Sequence, residues 1–165
     1  MGIGSNNEFR SNKTEYSTPK LLFNLLHEEF NFDIDVCASS TNYKVPNYWT
    51  LYDDAFTKNW VGNCFMNPPF GKGLSKWVRK AWSETKKHGG IKVCLIPVRS
   101  NTNWWAEVIE DAEVRFIIGE VNFNDEERGL WLPMCIVIFG SSAKKGSFFV
   151  LNYRKLLKLA ERRMG

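Results

Sequence analysis

Between residues 61 and 118, short apolar runs alternate with amphipathic stretches, and this alternation limits the chain to few architectures. Residues 61–66, 91–98 and 114–118 read as buried strands, rich in Val, Ile, Phe and Cys. Residues 73–87 and 103–110 between them read as helices. In the first of these, Leu74, Trp77, Val78, Ala81 and Trp82 recur at helical spacing, Lys72, Lys76, Arg79 and Lys80 fall outside, and His88-Gly89-Gly90 stops the helix. Strands alternating with helices predict an α/β fold, a sheet with helices on its faces. Residues 32–37, 48–51 and 134–139 are read as further strands, and 148–151 as a strand pairing at an edge. A helix is expected over 18–30, capped by Thr18 with Pro19 at its first position. The C-terminal segment carries Val150, Tyr153, Leu156, Leu157 and Ala160 on one face, with Arg154, Lys155, Lys158, Arg162 and Arg163 around the other.

The chain has 165 residues, the length of one domain, so residues 1–165 are expected to form a single one, with 1–14 frayed. No apolar run approaches the roughly 18 residues of a membrane span, and the polar start is not that of a secretory signal. Cys37, Cys64, Cys94 and Cys135 are too far apart for a zinc knuckle or a redox pair, and each lies in an apolar stretch. They are read as buried free thiols, which predicts a reducing cytosolic setting and no metal. Net charge is +4, and 24 aromatic residues (7 Trp, 5 Tyr, 12 Phe) are present. A basic, aromatic-rich surface suits nucleic acid, although a Trp-rich core gives the same count.

In α/β sheets, ligands bind beyond the carboxyl ends of the strands. Asn67-Pro68-Pro69-Phe70 stands directly after an apolar strand. The two prolines stiffen the backbone and present carbonyl oxygens with no N–H of their own. Asn67 adds a side-chain carbonyl and Phe70 a flat apolar face. Such a loop receives a planar group bearing an exocyclic amino group: two acceptors take its hydrogens and the ring stacks. Acceptors for both hydrogens raise electron density on an otherwise poor aryl-amine nucleophile and support the positive charge that develops as it attacks a methyl sulfonium. An amide nitrogen on a protein, such as a glutamine side chain, fits the same chemistry. So does a non-catalytic nucleic-acid module on the same fold, although the complete loop speaks against it. Methylation at cytosine C5 is disfavoured, because no Pro-Cys pair exists to supply the nucleophile.

Ser17-Thr18-Pro19, residues 32–38 (FDIDVCA), Asn42, Asp53-Asp54-Ala55-Phe56, Asn67-Pro68-Pro69-Phe70-Gly71, Trp77 and Pro97-Val98-Arg99 occur in that order. The ordered set resembles the phage-type DNA N6-adenine methyltransferases, from about residue 15 to residue 140. The resemblance implies a class I methyltransferase sheet, three-layer and Rossmann-like, mostly parallel with an antiparallel strand near the C-terminal end, together with S-adenosylmethionine as methyl donor, adenine in DNA as acceptor, and a phage or prophage enzyme working in bacterial cytoplasm. It also implies roles: Thr18 and Pro19 at the methionyl end of the cofactor, Asp35, Cys37 and Ala38 as the first-strand cofactor motif, and Asp54 with Ala55 as the acidic motif for the cofactor adenine. Asn67 would serve both cofactor and catalysis, with Pro68, Pro69 and Phe70 catalytic. Asp35 is favoured over Asp33, and Asp54 over Asp53.

Adenine within a duplex cannot reach such a loop, so the base must be flipped or already unpaired, and phosphate contacts must hold the strand. Lys72, Lys76, Arg79 and Lys80 beside the loop, and Arg99 after its strand, are the candidate phosphate contacts. Of Trp104 and Trp105 one is expected to stack on bases while the other packs inward, since adjacent residues do not share a helix face, and Trp104 is the candidate for the bases. The partly acidic insertion 122–133 is the only segment with room for sequence recognition, which predicts short or loose specificity or a contribution from a second subunit. A monomer or homodimer is expected.

Overall fold

The computed structural model describes residues 16–125 and 130–164. The polar residues 1–15 and Glu126, Glu127 and Arg128 of the acidic insertion lie outside the described residues. The chain forms a mixed α/β structure around a six-stranded sheet of order β1-β2-β3-β5-β4-β6. The strands are β1 (Ile34–Asp35), β2 (Cys64–Met66), β3 (Ile91–Pro97), β4 (Glu113–Ile118), β5 (Met134–Gly140) and β6 (Ser147–Asn152). β5 runs antiparallel to both its neighbours, and the remaining pairings are parallel. The opposed strand is therefore the one nearest the C-terminal end save for the edge strand β6.

Side chains of β3 alternate between two buried clusters, as a strand with both faces covered requires. Cys94 and Ile96 pack with Leu74, Val78 and Ala81 of α2 (Leu74–His88) and with Trp105 and Val108 of α3 (Asn103–Ile109). Val93 and Leu95 pack on the other side with Leu22 and Leu26 of α1 (Lys20–Phe30) and Tyr153 at the start of α4 (Tyr153–Met164). Lys92 interrupts this apolar strand yet is fully buried; its ammonium donates to the carbonyls of Gly62 and Gly89 at 2.8 and 2.7 Å. Gly90, at φ +67°, lies so close to the Gly62 carbonyl that a Cβ has no room.

Several expected elements change. The strand over 32–37 shrinks to Ile34–Asp35, because the Asp35 carboxylate captures the amides of Cys37 and Lys44 and bends the chain out of the sheet. The strand over 48–51 is reduced to one bridge between Tyr48 and Asp35. Thr50 and Asp53 form a reciprocal capping box there, which winds Leu51–Asp53 into a 3-10 turn. Thr18 is not the cap of α1: Pro19 at φ −58° and ψ 139° occupies that position, and no side chain caps it.

Burial also regroups charges. Lys80 turns from the predicted outer face to Glu84 Oε1 and the Lys58 carbonyl, both at 2.8 Å. Glu84, buried, also accepts the Trp60 backbone N–H at 2.9 Å. Burial pushes the Glu84 carboxyl up, but the Lys80 and Trp60 hydrogen bonds outweigh it and hold the group below the usual carboxylate range. Of the four thiols, Cys64, Cys94 and Cys135 are buried as expected, whereas Cys37 is half-buried in the bend after β1; all are free.

Candidate functional site

A cavity of about 360 Å³ opens beyond the carboxyl ends of β1 and β2. Its wall takes in Thr18, Asp35, Cys37, Ala38, Asp54, Ala55, Asn67, Pro68 and Pro69, all singled out from the sequence. Four separate stretches of chain supply them. Short parallel strands put Asp35 and Asn67 side by side, since Asp35 pairs with Phe65 and Asn67 follows Met66. Residues 39–47 form turns instead of a crossover helix, and this brings Asn42 and Lys44 to the same wall.

Asp35 is 2% exposed. Its oxygens accept the Cys37 and Lys44 amides at 3.3 and 3.2 Å. Burial pushes its carboxyl up to about 6, against the pull of those two amides and the Lys44 charge. The Cys37 thiol beside it is pushed up to about 12, by burial and then by Asp35, so it is no nucleophile at neutral pH. Asp33 faces away from the cavity and accepts the Asn63 amide at 2.8 Å. Asp53 is spent on Thr50. Asp54 lines the cavity in a left-handed conformation, φ 48°, with its carboxylate accepting the Phe56 amide at 3.1 Å.

Asn67 carries the most distinctive geometry. Its Nδ2 donates to the Tyr16 carbonyl at 2.5 Å and to Thr18 Oγ1 at 2.9 Å. Its Oδ1 is buried without a hydrogen-bond partner among the described residues. A buried carbonyl left unpaired costs about 1–3 kcal/mol, so this atom calls for a ligand that donates to it. Phe70 does not line the cavity. Its ring stacks on Tyr16, with centroids 5.6 Å apart and planes 9° apart, and Tyr16 lines the cavity in its place.

Tyr16, Ser17, Thr50, Leu51, Phe56 and Trp77 also line the wall. Trp77 reads as core from its spacing, yet it packs on Phe56 at 4.4 Å and reaches the cavity. Its proximity in sequence to the Asn67 loop was the available signal.

The candidate phosphate contacts divide. Lys72 and Arg99 flank the carboxyl edge; Lys72 is exposed, and Arg99 donates to the Val98 carbonyl at 3.1 Å. Lys76 lies over the Phe56 ring at 4.1 Å. Arg79 is engaged by Glu107 of α3 through two hydrogen bonds of 2.8 and 3.0 Å. Trp105 is buried, as expected, while Trp104 is half-buried against the core. Among the described residues no His, Cys, Asp or Glu cluster could hold a metal, and no helix is long and apolar enough to cross a membrane.

Comparison with known proteins points to one family. The family model described as DNA N-6-adenine-methyltransferase (Dam) matches residues 5–151. A protein of Haemophilus phage HP1 named DNA N-6-adenine-methyltransferase is 29% identical over 170 residues, covering 96% of each chain.

Proposed function

The chain belongs to the DNA N-6-adenine-methyltransferase family, and we propose that its cavity holds S-adenosylmethionine while the Asn67 loop receives the amino group of a flipped or unpaired adenine. The observation that carries this reading is the buried, unpartnered Asn67 Oδ1 at the wall of the cavity. The sheet, with helices packed on both faces and the cavity at its carboxyl edge, supports a three-layer Rossmann-like methyltransferase arrangement.

The residues present suit the cofactor. About 360 Å³ lies within the range of roughly 300–1,000 Å³ typical of small-molecule sites. A carboxylate buried at a strand end, Asp35, favours a ligand with a cationic group. Leu51, Ala55, Phe56 and Trp77 supply apolar wall for a nucleoside, and Asp54 supplies an acceptor for an exocyclic amine. When bound, S-adenosylmethionine supplies an electrophilic methyl sulfonium.

Asn67 Oδ1 takes one hydrogen of the adenine amino group, and the Pro68 carbonyl takes the other. Neither acceptor needs a strong base nearby, because both act by steadying the positive charge that grows on nitrogen. Tyr16, backed by Phe70, is the aromatic residue a planar base meets at this wall. Lys72 and Arg99 are the cations placed to hold the strand, whereas Arg79 is committed to Glu107. Incubation with methyl-labelled S-adenosylmethionine and DNA, RNA or protein, followed by nucleoside analysis, tests the reading. Label is expected in N6-methyladenine from DNA. Label confined to protein moves the chemistry to an amide nitrogen, and label in no acceptor reduces the chain to a binding module.

A further inference from the structure

The geometry points to Thr18 as a positioning residue that holds the Asn67 amide in place, in the orientation that the Tyr16 carbonyl selects, an inference that rests on the role of Asn67 given above. The resemblance to relatives places Thr18 at the methionyl end of the cofactor. Its hydroxyl is instead turned to the catalytic loop, where it accepts from Asn67 Nδ2 at 2.9 Å. Thr18 is 2% exposed, so water does not compete for that bond.

A carboxamide has two nearly isosteric ends, and only one of them can accept from an adenine amino group. Both acceptors that hold Asn67 lie on one short strap, the Tyr16 carbonyl and the Thr18 hydroxyl. Turned over, the amide would set its oxygen against the Tyr16 carbonyl and lose that bond, whereas the Thr18 hydroxyl could still hold it by donating instead of accepting. The strap therefore selects the orientation in which Oδ1 stays unpaired at the cavity wall. The strap is itself tied on three sides at Ser17. The Ser17 N–H donates to Asn124 Oδ1 at 2.7 Å, its carbonyl accepts the Asn124 N–H at 2.8 Å, and its hydroxyl accepts from Lys44 Nζ at 2.9 Å.

Thr18→Val removes the acceptor while keeping the shape, and Thr18→Ser restores the hydroxyl. The Val variant is expected to lose about tenfold or more in kcat, as small misplacements of a reacting group do, with S-adenosylmethionine affinity and DNA KM held within about twofold. The Ser variant is expected to return to within about threefold of the unaltered protein. A Val variant with unchanged kcat overturns the proposal, and so does a loss expressed only as weaker cofactor binding. Asn67→Ala, run alongside, separates the two layers of argument. If it transfers methyl groups at the unaltered rate, the role of Asn67 fails. If it is inactive while Thr18→Val is unimpaired, only the positioning role fails. Should Thr18→Val not fold, the side-chain amide of Asn67 in the unaltered protein gives the answer by NMR. Both Nδ2 hydrogens are expected to be protected from solvent exchange, and rapid exchange of both overturns the proposal.

Discussion

Asp35→Asn probes the cavity through its electrostatics. Asp35 is 2% exposed, and burial raises its carboxyl from 3.8 to about 6. That difference corresponds to about 3 kcal/mol disfavouring the ionised form in the folded protein. Below about pH 4 the group is protonated whether folded or unfolded and contributes nothing. Between pH 4 and 6 the unfolded chain ionises while the folded one resists, so stability is lost as pH rises, and the loss is complete above the folded value. The carboxamide of the variant cannot titrate. It would still accept the Cys37 N–H but would set a donor against the Lys44 N–H, a cost of about 1–3 kcal/mol at every pH. The absolute stability of the variant is therefore uninformative, and the slope is the test. Urea unfolding from about pH 3 to 7 is expected to show the unaltered protein losing about 3 kcal/mol relative to Asp35→Asn. A cationic ligand reverses the sign, because it favours ionised Asp35. With a folded value near 6, S-adenosylmethionine is expected to bind about tenfold more weakly at pH 5 than at pH 7, and Asp35→Asn to flatten that profile. Parallel stability curves for the two proteins, or an unchanged binding profile in the variant, would refute the reasoning.

The DNA contacts and the strap make two further predictions. Arg79→Ala is expected to leave DNA affinity and its salt dependence unchanged, since its guanidinium is already paired with Glu107, while Lys72→Ala reduces the slope of log K against log salt by about one; titration of both variants between about 50 and 200 mM salt checks this. Asn124 sits at φ 62° and holds Ser17 from both sides, so Asn124→Gly is expected to lower kcat with little change in cofactor affinity, and Asn124→Ala to be about 1 kcal/mol less stable still, measured by denaturant unfolding.

Local signals made much of the sheet legible. The apolar runs that became β3 and β5 are bounded by clear punctuation, and the spacing of Leu74, Val78 and Ala81 fixed the buried face of α2. Proline pairs after a strand located the Asn67 loop. Contacts made across long stretches of chain were invisible. The bonds from Asn67 to Tyr16 and Thr18 span 51 and 49 residues, so Thr18 looked like a helix cap. Arg79 looked like a free cation because Glu107 lies 28 residues on. Phe70 offered a face that Tyr16 covers from a segment with no regular structure of its own. Residues 39–46 carry only a polar pattern, yet capture of the Lys44 amide by buried Asp35 draws Asn42 and Lys44 into the wall.

The central claim is that Asn67 Oδ1 receives the adenine amino group during methyl transfer. Single-turnover methylation of DNA by Asn67→Ala, with S-adenosylmethionine binding measured on the same sample, addresses it most directly. Removing an acceptor that acts on developing charge is expected to slow transfer by about 100-fold or more, with cofactor affinity largely kept. Transfer at the unaltered rate would contradict the account.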